Sequence, residues 1–251
     1  MTNSAVETIQ GIDVRPVTLY RPVGSTRGMF QDLGYDCTYR FEPEDTDELA
    51  QVQQAFAREV LPVTFPEPIP MWGMGPRLRQ VDMPRCQPWA WPVMSTNMLD
   101  LLTSLGEFPH HAYRTEIFDM DLGNAPTGQQ LAAPPKSFDQ FIVLHLTKHL
   151  QAIDYRRSDY TYYHWSAEGR RVSRPQPSPS ETAEFARMER GEISISASRL
   201  VLTLREEELP PVFRLKSWNT SLFLSPKAQK TVEQAQLNNI DYLTETVYVR
   251  A

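Results

Sequence analysis

Residues 221–248 read SLFLSPKAQKTVEQAQLNNIDYLTETVY, and the plan of this stretch sets the fold class. Residues 222–224 are short and apolar, the signature of a buried strand. Ser225 then precedes Pro226, the favoured pairing at a helix start, because proline lacks an N–H that the first turn would leave unbonded anyway. A helix to about residue 237 follows. Asn238 and Asn239 offer a left-handed stop, and residues 242–249 read as a strand. Residues 91–118, WPVMSTNMLDLLTSLGEFPHHAYRTEIF, repeat the plan. An apolar strand leads to Ser95 as N-cap. Met98, Leu101, Leu102 and Leu105 then share one helix face. Gly106 stops the helix, and residues 113–120 alternate like a strand. Ser95 precedes Tyr113 by about as much as Ser225 precedes Tyr242. The expectation is an α+β fold with mixed or antiparallel sheets, a few helices and two related strand–helix–strand lobes. The first lobe would span residues 1–135 and the second 136–251.

Between these stretches proline punctuates the chain, 21 Pro against 11 Gly. Residues 14–20 and 35–41 are β-prone. Residues 46–60 predict a helix with an acidic start, suited to the positive end of its dipole. Leu49, Val52, Phe56 and Val60 recur at helical spacing, and Pro62 closes the segment. Residues 61–92, with Trp72, Trp89 and Trp91, are too rich in proline for a helix and read as extended chain. In residues 141–146, FIVLHL, strand and helix signals compete. Residues 170–192 read as a loop holding a short helix. Residues 193–195, 200–204 and 212–215 are strand-like.

Composition narrows the function. The chain has 251 residues, 41% hydrophobic and 22% charged, which excludes wholesale disorder and suits a sizeable core. No apolar run approaches the ~18 residues of a membrane helix. The polar start MTNSAVETIQGID is not a secretory signal. Cys37 and Cys86 cannot build a disulfide framework and read as small packing residues with reduced thiols, which points to the cytoplasm. A net charge of −6 disfavours bulk nucleic-acid binding and is compatible with a basic protein partner.

No motif of catalysis rises above background. His145 and His149, four apart, would share a face on a helix, but HLTKH lacks the glutamate and third ligand of a zinc site. His110 and His111 suit a loop. Asp119 and Asp121, two apart on a strand, face one side. With the two histidines they form the alternative reading, a small-molecule enzyme or ligand-binding protein. G-x-S-x-G and phosphate-cradling loops are absent. No cofactor and no metal are expected. The run DYTYYHW, residues 159–165, beside Arg156, Arg157, Arg170 and Arg171, reads first as a two-faced core strand. Its second reading is a protein interface, where Tyr, Trp and Arg are enriched, and its third is a stacking platform for single-stranded nucleic acid. The acidic run EPEDTDE is a solvated helix start or a docking patch for a basic partner. The candidate partner contacts are Glu44, Asp45, Asp47, Glu48, Tyr160, Tyr162, Trp165 and Arg170.

The second half carries a further pattern. FIVLHLTKHLQAIDYRRSDY holds Asp154 and Ser158; PPVFRLKSWNTSLFLSPKAQKTVEQA holds Phe213, Arg214, Leu215 and Ser225. In order and spacing these elements resemble the immunity proteins of bacterial polymorphic toxin systems, a large group first known only as a domain of unknown function. The resemblance covers roughly the last 110 residues. Where the group has Thr-Gly before an aromatic, this chain has LNNIDY, so Asn239 would take the positive-φ role of that glycine. The resemblance implies a binding protein rather than a catalyst: a cytoplasmic inhibitor of one cognate toxin, engaged in interbacterial competition. Asp154, Ser158, Phe213, Arg214 and Ser225 carry over as pattern positions. As scaffold, Ser225 would cap a helix, Phe213 would fill the core and Arg214 would pair with Asp154.

Overall fold

A computed structural model describes residues 6–24, 36–39, 51–87, 91–119, 136–165, 171–178, 181–190, 192–218 and 221–251. The fold is α+β with mixed and antiparallel sheets. The chain divides into two compact units. One comprises residues 1–21, 149–226 and 244–251; the other comprises 22–148 and 227–243. The expected cut at 135/136 is not where the chain divides. Strand pairing joins segments distant in sequence, so each unit is assembled from several pieces.

In the second unit a seven-stranded sheet runs β5-β3-β4-β7-β9-β6, with β8 also on β7. Its strands are β3 (Cys37–Tyr39), β4 (Ile69–Gly73), β5 (Cys86–Gln87), β6 (Val93–Ser95), β7 (His110–Asp119), β8 (Ser137–Phe138) and β9 (Phe141–Leu146). The ambiguous FIVLHL is therefore a strand, buried at every position. It is antiparallel to both β6 and β7, which satisfies both of its edges. A near-continuous apolar run, here interrupted by His145 alone, is the mark of a strand covered on both faces. His110 and His111, expected in a loop, begin β7.

Ser95 caps the helix Thr96–Ser104 as expected. Its Oγ accepts from the Met98 N–H at 3.2 Å and donates to Asp82 Oδ1 at 2.7 Å. The helix expected over 46–60 is observed at residues 51–54, continues as a 3-10 turn at Ala55–Ala57 and ends at the extended Arg58. Its earlier residues lie outside the described ones. Val52 and Phe56 are buried as the spacing predicts, whereas Val60 lies past the helix end and is exposed. The proline-rich stretch builds the core: Phe56 stacks on Phe65 at 5.0 Å and meets Trp91 edge-on at 4.7 Å. The Trp91 indole donates to the Val52 carbonyl at 3.0 Å. Trp89 lies outside the described residues.

In the first unit a six-stranded sheet runs β13-β16-β2-β15-β14, with β1 on β2. Its strands are β1 (Glu7–Ile9), β2 (Ile12–Gly24), β13 (Val201–Arg205), β14 (Val212–Phe213), β15 (Phe223–Leu224) and β16 (Ile240–Arg250). A separate three-stranded sheet, β11-β10-β12, is formed by β10 (Asp159–Trp165), β11 (Arg171–Pro175) and β12 (Ser194–Arg199). The stretch expected as a loop thus contains β11 as well as the helix Thr182–Glu189. The core gathers Leu19, Tyr160, Met188, Leu202, Phe213 and Phe223, with Trp218 stacked on Phe223 at 5.4 Å.

The strand–helix–strand plan does occur twice. β6 passes through Thr96–Ser104 into β7; β15 passes through Pro226–Gln234 into β16. In each sheet one strand separates the two: β9 lies between β6 and β7, and β2 lies between β15 and β16. Each second strand has a parallel neighbour on its other side, β4 for β7 and β13 for β16. The orders β4-β7-β9-β6 and β13-β16-β2-β15 therefore correspond. They differ in chain order, since β9 follows β7 whereas β2 comes from the start of the chain. The second helix ends at Gln234, and Asn239 takes a φ of 60°, the left-handed role anticipated for it.

Candidate functional site

The segments that carry the pattern residues pair with one another in the first unit at Leu150. Leu150 bridges Leu215 in parallel; its N–H donates to the Arg214 carbonyl at 2.7 Å, and its carbonyl accepts from the Lys216 N–H at 3.1 Å. Four residues on, the Asp154 N–H donates to the Val201 carbonyl at 2.8 Å. The chain then turns. The Ser158 N–H and Oγ both donate to the Asp154 carbonyl, at 3.0 and 2.7 Å, and Ser158 Oγ accepts from the Val201 N–H at 2.9 Å. Asp154 holds the turn from inside: its carboxylate accepts from the Arg157 N–H at 3.2 Å and from the Arg157 guanidinium at 2.8 Å. Buried polar groups of this kind must find partners, and here they fasten the entry of β10 to β13.

The expected Arg214–Asp154 pair does not form, because Arg157 occupies Asp154. Arg214 is 2% exposed, its Nε has no hydrogen-bond partner among the described residues, and burial lowers its pKa to about 10. Phe213 is core, as expected. The Ser225 N–H donates to the Pro211 carbonyl at 3.1 Å.

The aromatic run forms β10, and its alternation sorts the side chains. Tyr160 and Tyr162, expected as partner contacts, are 6% and 5% exposed and belong to the core. The Tyr160 hydroxyl donates to Met188 Sδ at 3.4 Å, and burial drives its pKa upward. Tyr155, beside it, donates to the Met188 carbonyl at 3.2 Å. With period two, Thr161 and Tyr163 face the opposite side. Register places Ser194, Ser196 and Ser173 against them on that side. The result is an outward face of serine and threonine around a half-buried tyrosine. Sequence reading missed Tyr163, although alternation from an inward Tyr162 would have found it. Trp165 ends β10 opposite Arg171. Glu44, Asp45, Asp47, Glu48 and Arg170 lie outside the described residues.

Of the residues of the enzymatic alternative, Asp119 ends β7 and His145 lies on β9. His145 sits on a strand, so the shared-face argument for His149 fails, and the two histidines fall in different units. His145 is 4% exposed, with Nε2 2.9 Å from the Arg58 carbonyl. Asp119 accepts from the Gly75 N–H at 2.8 Å. Asp121 lies outside the described residues. Among the described residues no cluster of His, Cys, Asp and Glu could hold a metal, and no helix is long and apolar enough to cross a membrane.

A comparison with models of known families and with curated proteins finds no match for this chain.

Proposed function

We propose that the protein is an immunity protein that binds and neutralises one cognate bacterial toxin in the cytoplasm. The observation that carries this reading is the node around Leu150. Motif segments that resemble the immunity group, far apart in sequence, meet there where Leu150 pairs with residues 214–216, and Asp154 and Ser158 fasten the same segment to Val201. The outward face of β11-β10-β12 is its contact surface. Tyr163 offers a rigid amphipathic anchor at low entropic cost, and Ser173, Ser194 and Ser196 offer adaptable hydrogen bonds, the combination that binding loops favour. The acidic surplus of the chain suits a basic toxin and would speed encounter. Asp119 and His145 are each engaged in structural hydrogen bonds, so neither lends support to an enzymatic reading.

Co-expression tests the proposal. Cells producing the toxin encoded beside this chain should survive when the chain is present, and the two polypeptides should co-purify. Ser196→Arg, on the outward face, should abolish rescue while leaving the urea denaturation midpoint unchanged. Rescue that persists in Ser196→Arg and Tyr163→Ala would sink the surface assignment. Failure of the chain to protect or to bind would sink the function.

A further inference from the structure

The chain has two cysteines, and the fold sets them face to face. β3 and β5 are parallel neighbours, with Cys37 in register with Cys86 and Thr38 with Gln87. The Asp36 and Cys37 N–H groups both donate to the Arg85 carbonyl, at 2.7 and 3.2 Å, which locks this register at its start. The Asp36 carboxylate tightens it, accepting from the Arg85 N–H at 2.8 Å and from Arg77 Nε at 3.1 Å. Adjacent strands lie ~4.8 Å apart, within the ~4.4–6.8 Å between Cα atoms that a disulfide spans. Both side chains are buried in the same core. On the far side of Cys37 the register partner is Gly73, which carries no side chain.

We propose that Cys37 and Cys86 are a redox pair that closes to an intramolecular disulfide, stapling β3 to β5. Among the described residues β5 has one strand neighbour in its sheet, so Cys86 is the first to react. Its thiolate attacks an external disulfide of the glutathione or oxidoreductase class, forming a mixed disulfide and expelling one thiol. Cys37 then attacks Cys86 Sγ and expels the second. Two protein thiols lose two protons and two electrons, and the external disulfide accepts both as its S–S bond breaks. The neighbouring Cys86 thiol, burial and the Asp36 charge all push the Cys37 thiol upward, which disfavours Cys37 as the first attacking thiolate and leaves that step to Cys86. The closed loop contains the acidic run at residues 42–48, so the bond would restrain the segment that sequence marks for a basic partner. The inference stands apart from the proposed toxin.

The test uses the full chain, unfolded and refolded in buffers of oxidised and reduced glutathione. Free thiols are counted under denaturing conditions, alongside intact mass and urea denaturation. The expected result is loss of both thiols together, no retained glutathione, a mass lower by two hydrogens and a higher urea midpoint than for the reduced chain. Cys86→Ala and Cys37→Ala should abolish the redox dependence of the midpoint. The wild-type thiol count decides the matter even if a variant fails to fold. Persistence of both thiols, accumulation of mixed disulfides or covalent dimers, or a midpoint that does not rise on closure would overturn the proposal.

Discussion

The hydroxyl of Ser158 works in two directions, donating to the Asp154 carbonyl and accepting from the Val201 N–H. It is 1% exposed, so water cannot replace it. Ser158→Ala should therefore cost about 1–3 kcal/mol, the penalty for stranding a buried polar group, read as a lower urea midpoint. Asp36 poses a charged version of the same problem. Its buried carboxylate is balanced by Arg77 at 3.1 Å. Arg77→Met would leave that charge uncompensated and should cost about 3–5 kcal/mol. Arg214 is the reverse case, a buried guanidinium with no ion pair among the described residues. Arg214→Met should leave stability unchanged or raise it, by up to about 4 kcal/mol. A clear loss of stability in that variant would mean that the guanidinium has a stabilising role.

At the scale of elements, close approach and capping decide what is tolerated. The end of β2 passes so near the 83–85 segment that a Cβ on Gly24 would lie 2.6 Å from the Arg85 nitrogen and 2.8 Å from the Met83 carbonyl oxygen. Backbone cannot yield as a flexible side chain can. Gly24→Ala should destabilise by roughly 1–3 kcal/mol, as overpacking does, measured by thermal or urea unfolding. The capped helix Thr96–Ser104 was legible in sequence because Ser95 and the apolar spacing agree. The identity of FIVLHL was not, since a run apolar at every position but His145 carries no period to separate strand from helix. Strand partners on both edges settled it. The aromatic run of β10 was legible as a two-faced strand, but which face looked inward depended on where Phe185, Met188 and Ile195 packed.

Across the whole molecule, buried phenols link stability to alkaline pH. Burial raises the pKa of Tyr155 and Tyr160, and burial with the Glu233 charge raises Tyr242 to about 12. Below about pH 10 these groups are neutral in both folded and unfolded chains. Above it the unfolded chain ionises first, so their contribution to stability falls as pH rises, through about 12 for Tyr242. Arg214 acts oppositely: its pKa is lowered to about 10, so its burial penalty eases as pH rises past that value. The urea midpoint should therefore fall between about pH 10 and 12. Tyr160→Phe should flatten that fall and Arg214→Met should steepen it; equal slopes in all three proteins would refute the linkage.

The sequence by itself determined the local grammar: strand, serine, helix, strand, written twice. It also determined the cap at Ser95, the left-handed turn at Asn239 and the apolar positions that became cores. Those features follow from near-neighbour sterics and periodicity, which a linear chain displays openly. Only the tertiary structure decided which strand lies between the two halves of each repeat. It also decided that Asp154 takes Arg157 rather than Arg214, that Tyr160 and Tyr162 turn inward, and that Cys37 faces Cys86. Each of those outcomes depends on the pairing or packing of distant residues, where many partners satisfy the local rules and shared burial selects one.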